Sequence, residues 1–209
     1  MKHKEKEIMN WTDVSLKQYN DIKEIYLNPE FSEEDRIILL INILFGIDAL
    51  KLKTTELNKY VEQMKFLGEK VPKMKLRDKY KLGQNTYILK KDLKDFTVAQ
   101  WIDFQNFLKN GSDTDNYSNL LSVFFLPEGE TEYGEYDVES VRNDINNFLS
   151  IADANSIAAF FLTYQKGLSI VFLLYTKRKI LKTPLEKTEK KKIKKEMRKL
   201  IWQTIFRGV

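Results

Sequence analysis

The sequence predicts a mainly α protein: a helical domain with one small β-hairpin and an extended basic C-terminal helix. Three observations carry this. Apolar residues recur at helical spacing in successive segments, each opened by a Ser, Thr or Asp that suits an N-cap. One stretch, around Gly83–Asn85, alternates instead with period two. From Lys177 to Val209 there are thirteen Lys and Arg against three acids, while residues 1–176 hold 22 basic and 27 acidic side chains. The expected organisation is a body over 1–176, with the hairpin near 76–93, and a basic arm over 177–209.

The first helix follows Asp13 or Ser15 as cap and runs through Ile22, Ile25 and Tyr26 to Asn28-Pro29. Ser32 with Glu33, Glu34 and Asp35 reads as a cap and an acidic first turn, placed where the helix dipole is positive. The helix that follows, Arg36 to Phe45, is apolar nearly all round and is expected to be buried, with Gly46 ending it. Thr54 or Thr55 caps a third helix whose Leu57, Tyr60, Val61, Met64 and Leu67 share one face.

Met74 to Leu82 and Tyr87 to Leu93 then form the hairpin, turned at Gly83-Gln84-Asn85. Thr97 caps a helix through Trp101, Phe104, Phe107 and Leu108, ended by Asn110-Gly111. Tyr117 to Leu126 reads as a buried helix cut by Pro127, and Val138, Val141, Ile145, Phe148 and Leu149 as an amphipathic one. The expected core includes Ile38, Leu39, Ile43, Leu44, Trp101, Phe104, Leu121, Phe124, Phe160 and Phe161.

Composition removes most enzyme classes. With no cysteine there is no disulfide, thiolate metal site or cysteine nucleophile, and the one histidine, His3, lies in a charged N-terminal stretch. No glycine-rich phosphate loop occurs; Gly129-Glu130-Thr131-Glu132-Tyr133-Gly134 would repel phosphate. No catalytic residue, metal or cofactor is therefore expected. The opening MKHKEKEIMNW has charges without an apolar run behind them, so a secretory signal is not expected either.

Three features remain. The run from Ile157 to Tyr175 approaches the length of a bilayer span, but Gln165-Lys166-Gly167 sits at its centre. A lysine there costs about 2.5–3.5 kcal/mol, so buried helices are the expected reading and a membrane partner is not. Glu128, Glu130, Glu132, Glu135, Asp137 and Glu139 put six carboxylates in twelve residues. Their order lacks a calcium-loop pattern, which leaves a solvated loop or one facing a basic surface on a neighbour. In the arm, Ile193, Met197, Leu200, Ile201, Thr204 and Ile205 form one apolar stripe, with Lys191, Lys192, Lys194, Lys195, Arg198 and Lys199 around it. A basic amphipathic helix suits an apolar groove rimmed by acids, anionic lipid or phosphate; the ordinary alternative is a helix packed on its own body.

Several phrases together resemble a known group. They are Trp11-x-x-Val14-Ser15-Leu16-Lys17-Gln18-Tyr19-x-x-Ile22, then Thr97-Val98-Ala99-Gln100-Trp101-Ile102-Asp103-Phe104, then Phe125-Leu126-Pro127-Glu128 running to Tyr136-Asp137-Val138. The chain resembles small virion and tail-assembly proteins of tailed bacteriophages, the crAss-like group especially, over residues 11–175. The resemblance implies a non-enzymatic structural protein of the virion head-to-tail region, present first in the host cytoplasm. It would be a ring or adaptor of identical subunits touching portal or tail components.

The alternatives are a tail-assembly chaperone absent from the mature particle and a nucleic-acid-binding module that touches DNA non-specifically through its basic tail. The expected contact residues are Ile193, Met197, Leu200, Ile201, Ile205, Lys194, Lys195 and Arg198 of the arm, and Glu130, Glu132 and Glu135 of the loop. Four or five buried aliphatic side chains would contribute about 1.5–3 kcal/mol each before ordering costs. Truncation after Leu181 is accordingly expected to leave a folded body that no longer enters particles. An equally incorporated truncation would remove the arm from assembly, and an unfolded one would show that the arm packs on its own body.

Overall fold

Ser15 opens the first helix, α1 (Leu16–Leu27), with a reciprocal cap: its hydroxyl accepts from the Gln18 amide, and the Gln18 side chain accepts from the Ser15 amide. Each bond satisfies a donor that the first helical turn leaves without a partner. The computed structural model describes residues 8, 10–92, 96–109, 114–163 and 195. The chain divides into two compact units, Met1–Ala158 and Ala159–Val209. The boundary expected at 176/177 lies outside the described residues.

In the first unit, α2 (Glu33–Phe45) starts from the same device, built by Ser32 and Asp35, and stops at Gly46, whose φ of 68° suits a residue without a Cβ. For α3 (Thr54–Gln63) the expectation was wrong by one position. Lys53 occupies the N-cap, and the Glu56 carboxylate takes the Lys53 amide, so neither Thr54 nor Thr55 is the cap. Strands β1 (Lys79–Leu82) and β2 (Asn85–Leu89) pair around the two-residue turn Gly83-Gln84, with Leu82 opposite Asn85. Gly83 has φ 60°, and a Cβ there would meet the Phe148 ring at 2.8 Å, so both backbone and space require glycine. The alternation holds: Tyr80, Leu82, Tyr87 and Leu89 are buried.

Thr97 caps α4 (Val98–Lys109) with Gln100 as its partner. The single helix expected over Tyr117–Leu126 is divided. α5 (Tyr117–Ser122) ends after six residues, and Phe125–Pro127 forms β3, antiparallel to β2, giving the sheet order β1-β2-β3. All six residues from Leu121 to Leu126 are buried, and a short fully buried apolar run serves a strand as readily as a helix; pairing with β2 decides for the strand. α6 (Val138–Phe148) buries Val141 and Ile145, and residues 151–163 form α7. Leu16 N–H to Leu149 C=O and Ile151 N–H to Val14 C=O, both 2.9 Å, tie the start of the fold to the α6–α7 junction. The described fold is thus mainly α with a small antiparallel sheet.

The core of this unit centres on Phe104, Leu120, Leu121, Phe124, Phe125 and Ile145. Leu44 is buried as expected, but Ile38, Leu39 and Ile43 are half-buried, because α2 presents one face rather than its whole circumference. Trp101 is 37% exposed, lying at the edge of the α4 face that buries Gln100 and Phe104. In the second unit the described residues are 159–163 and 195. The Phe160 and Phe161 rings meet edge to face with centres 5.0 Å apart; Phe161 is buried and Phe160 is 36% exposed, outside the expected core.

Phe104→Ala is expected to cost about 3–5 kcal/mol in urea unfolding, because it empties a closed aromatic site. Ile102→Ala, two residues away on the outer face, is expected to stay within about 0.5 kcal/mol. Equal costs would place the core on the wrong side of α4.

Candidate functional site

The acidic segment between β3 and α6 is held at both ends and in the middle. At its start the Glu128 amide donates to the Thr86 carbonyl at 2.8 Å, and the Glu128 carboxylate pairs with Lys79. At its end Asp137 caps α6 by accepting from the Glu139 amide at 3.0 Å. Between them two tyrosines reach inward. Tyr133 donates to the Asp103 carboxylate on α4 at 2.8 Å, and Tyr136 donates to the Phe125 carbonyl on β3 at 3.1 Å. Their rings meet edge to face, 6.2 Å between centres. Gly129 and Gly134 turn the chain with φ of 101° and 88°.

The consequence is a loop whose aromatic residues serve as anchors and whose acids face water. Glu130, Glu132 and Glu135, the three loop residues expected to form a contact, are all exposed. Burial, and then the nearby Glu130 carboxylate, push the Tyr136 hydroxyl up to about 12. Burial, and then the hydrogen bond to Asp103, hold Tyr133 above the ordinary tyrosine range in the same way. Both hydroxyls are therefore protonated donors at neutral pH.

Beside the loop lies an open, largely polar cavity of about 440 Å³, lined among others by Asn85, Tyr87, Glu128, Tyr136, Asp137 and Ser140. Next to it the Asp144 carboxylate accepts from Tyr87 at 2.6 Å and from Asn85 at 2.7 Å. Burial first, and that bond second, raise the Tyr87 pKa. Asp144, Tyr87 and Asn85 are thus bonded to one another beside the cavity, and the Tyr136 hydroxyl on its wall is bonded to the Phe125 carbonyl. Among the described residues no group of three or more acidic or histidine side chains is placed to hold a metal ion, and no helix is long and apolar enough to cross a membrane.

Two apolar surfaces complete the picture. On α4, Val98 is 77% and Ile102 52% exposed, with Trp101 beside them and Asp103, the anchor of Tyr133, on the neighbouring flank. A groove of about 340 Å³ is lined by Trp11, Tyr19, Ile22, Tyr26, Leu27 and Leu67. Of the expected arm contacts, Ile193, Lys194, Met197, Arg198, Leu200, Ile201 and Ile205 lie outside the described residues, as does most of the 157–175 run; Lys195 is helical and exposed. Nothing in the sequence alone marks Tyr133 and Tyr136 as anchors, beyond their being two aromatic residues spaced among carboxylates in a loop otherwise suited to water. Comparison with protein-family models, curated proteins and solved structures finds no match to the chain.

The tyrosine geometry has a pH signature. A hydroxyl whose folded pKa lies above its unfolded value near 10 contributes fully below pH 10, and that contribution is lost as pH rises through about 12. Tyr136→Phe is expected to lose less stability than wild type between pH 10 and 12 in alkaline thermal melts. At pH 7, Tyr133→Phe is expected to cost about 1 kcal/mol through its lost hydrogen bond. Superimposable alkaline profiles would mean that Tyr136 is not held as described.

Proposed function

We propose that this chain is a non-enzymatic structural protein of a tailed-bacteriophage virion, assembling as a ring of identical subunits in the head-to-tail connector or tail. The phage assignment rests on the resemblance of residues 11–175. The assembly reading rests chiefly on one observation: a tyrosine-anchored loop that presents Glu130, Glu132 and Glu135 outward from a fixed base. The same chain carries a strongly basic arm after Lys177. Opposite charges on different parts of one subunit favour heterologous contacts, which close into a ring when the rotation between subunits permits. The uncovered Val98, Trp101 and Ile102 on α4 supply apolar area for lateral packing beside that loop.

In this reading the loop acids guide and orient the approach of a neighbour, while apolar side chains of α4 and of the arm hold it. Other virion proteins, portal or tail components, would meet the surfaces left open. Purified virions separate this reading from a transient chaperone, since a ring protein is present there at fixed stoichiometry and a chaperone is missing.

Electron microscopy and sedimentation of the full chain are expected to show closed oligomers that dissociate as salt is raised. Glu130→Gln/Glu132→Gln/Glu135→Gln is expected to weaken self-association about ten-fold, at up to about 1 kcal/mol per exposed pair, without lowering the melting temperature. A protein that stays monomeric at all concentrations, or a variant that assembles like wild type, would count against the proposal.

A further inference from the structure

Residues 70–91 hold eight Lys and Arg against one acid, Asp78, although residues 1–176 taken together are acidic. From Lys73 to Leu82 the alternation is unbroken, KMKLRDKYKL, with a cation at every odd position. On β1 that pattern is realised in space: Tyr80 and Leu82 are buried, and Lys79 and Lys81 are exposed on the other face. Lys73, Lys75 and Arg77, which lead into the strand, are exposed as well.

The lead-in has no regular secondary structure, yet it is pinned along its length. Trp11 Nε1 donates to the Glu69 carbonyl at 2.9 Å, and the Met74 amide donates to Ser156 Oγ at 2.8 Å. The Arg77 guanidinium reaches Asp153 at 2.7 Å and lies 4.4 Å from the centre of the Tyr80 ring. The Leu89 amide donates to the Asp78 carbonyl at 2.8 Å. The cations are thus presented from a fixed backbone, so little ordering entropy opposes binding. Few of them are neutralised. Arg77 pairs with Asp153, Lys79 with Glu128 and Lys91 with Asp78. Among the described residues Lys70, Lys73, Lys75, Lys81 and Lys90 have no acid within ion-pair distance.

We infer that this row is a nucleic-acid-binding surface that takes a phosphodiester backbone without reading its sequence. Edge-strand lysines that merely discourage aggregation would be confined to β1. Here the cations continue six residues before the strand, where no edge needs protection. Within β1 alternate residues repeat at about 6.6 Å, a spacing suited to a uniformly charged polymer, and the sequence alternation continues through the pinned lead-in from Lys73. Acids at unequal intervals, such as 130, 132 and 135 of the loop, match it less well. No aromatic or amide side chain interrupts the odd positions from 73 to 81, so the surface is built for backbone contact and not base readout.

The test compares two full-length variants that remove the same charge from different places. Lys73→Gln/Lys75→Gln/Lys81→Gln alters the row at exposed side chains outside any ion pair, and Lys194→Gln/Lys195→Gln/Arg198→Gln alters the arm. Binding of a fluorescein-labelled 30-nucleotide DNA, as single strand and as duplex, is followed by anisotropy across a salt series. The row variant is expected to bind at least ten-fold more weakly to whichever form the wild type prefers. Its slope of log affinity against log salt should fall by about 2–3, at roughly 0.7–0.9 per lost phosphate contact. The arm variant is expected to lose less. Unchanged binding by the row variant, or an equal or larger loss by the arm variant, overturns the inference. Competition by polyglutamate as effective as by unlabelled DNA would also overturn it, assigning the row to an acidic protein surface.

Discussion

The pairing of β3 with β2 organises most of what the first unit does. Phe125–Pro127 contributes only three residues, set against Tyr87, Ile88 and Leu89. Its flanking bonds run from the Lys90 amide to the Phe124 carbonyl and from the Glu128 amide to the Thr86 carbonyl, both 2.8 Å. Adjacent strand residues point to opposite faces, so fixing this register sends the Phe124 and Phe125 rings in different directions. Phe125 meets Tyr80 and Tyr87 of the hairpin edge to face. Phe124 packs on Phe96 and on Phe104 of α4. One short strand therefore joins the hairpin to the helices, and each aromatic contact adds about 0.5–1.5 kcal/mol to the area buried.

The acidic loop inherits its position from that strand. It leaves β3 at Glu128, beside the Thr86 carbonyl, and returns at Tyr136, whose hydroxyl binds the Phe125 carbonyl of the same strand. Tyr133 adds a third point on α4. Six acids in twelve residues repel one another, and in a free loop that repulsion would favour extended, varied conformations. Two half-buried tyrosine side chains, each bonded through its hydroxyl, and one ion pair with Lys79 oppose it. The surface that results is preorganised, which matters for association because a partner need not supply the ordering free energy.

Much of this was legible in the sequence where physics is local. Ser15, Ser32 and Thr97 cap their helices because a side-chain oxygen close to an orphan amide needs no distant partner. The Tyr80/Leu82 and Tyr87/Leu89 alternation gave the hairpin for the same reason. Apart from the α3 cap, which falls at Lys53, what failed depended on tertiary context. Residues 117–126 carry no period that separates helix from buried strand, and only the exposed edge of β2 decides in favour of β3. Trp101 looked like core, but the buried face of α4 falls at Gln100 and Phe104, where the Gln100 side chain donates to the Val123 carbonyl. The Tyr133 anchor spans thirty residues to Asp103, a pairing that neither residue announces. Acidic loop and basic arm were visible as charge; that the loop is braced was not.

The position of the acidic loop depends most on β3 being a true strand. Native-state hydrogen exchange of the Lys90 and Glu128 amides tests this directly, since each donates across the β2–β3 junction. Both are expected to exchange only with the slow opening that also frees the Tyr80 and Leu82 amides of the hairpin and those of the buried helix positions around Phe104. Exchange of these two amides as fast as that of the exposed residues Glu132 and Glu135 would mean that β3 does not hold the loop. It would show a loop that hangs free of the body and leave the carboxylate surface without its base.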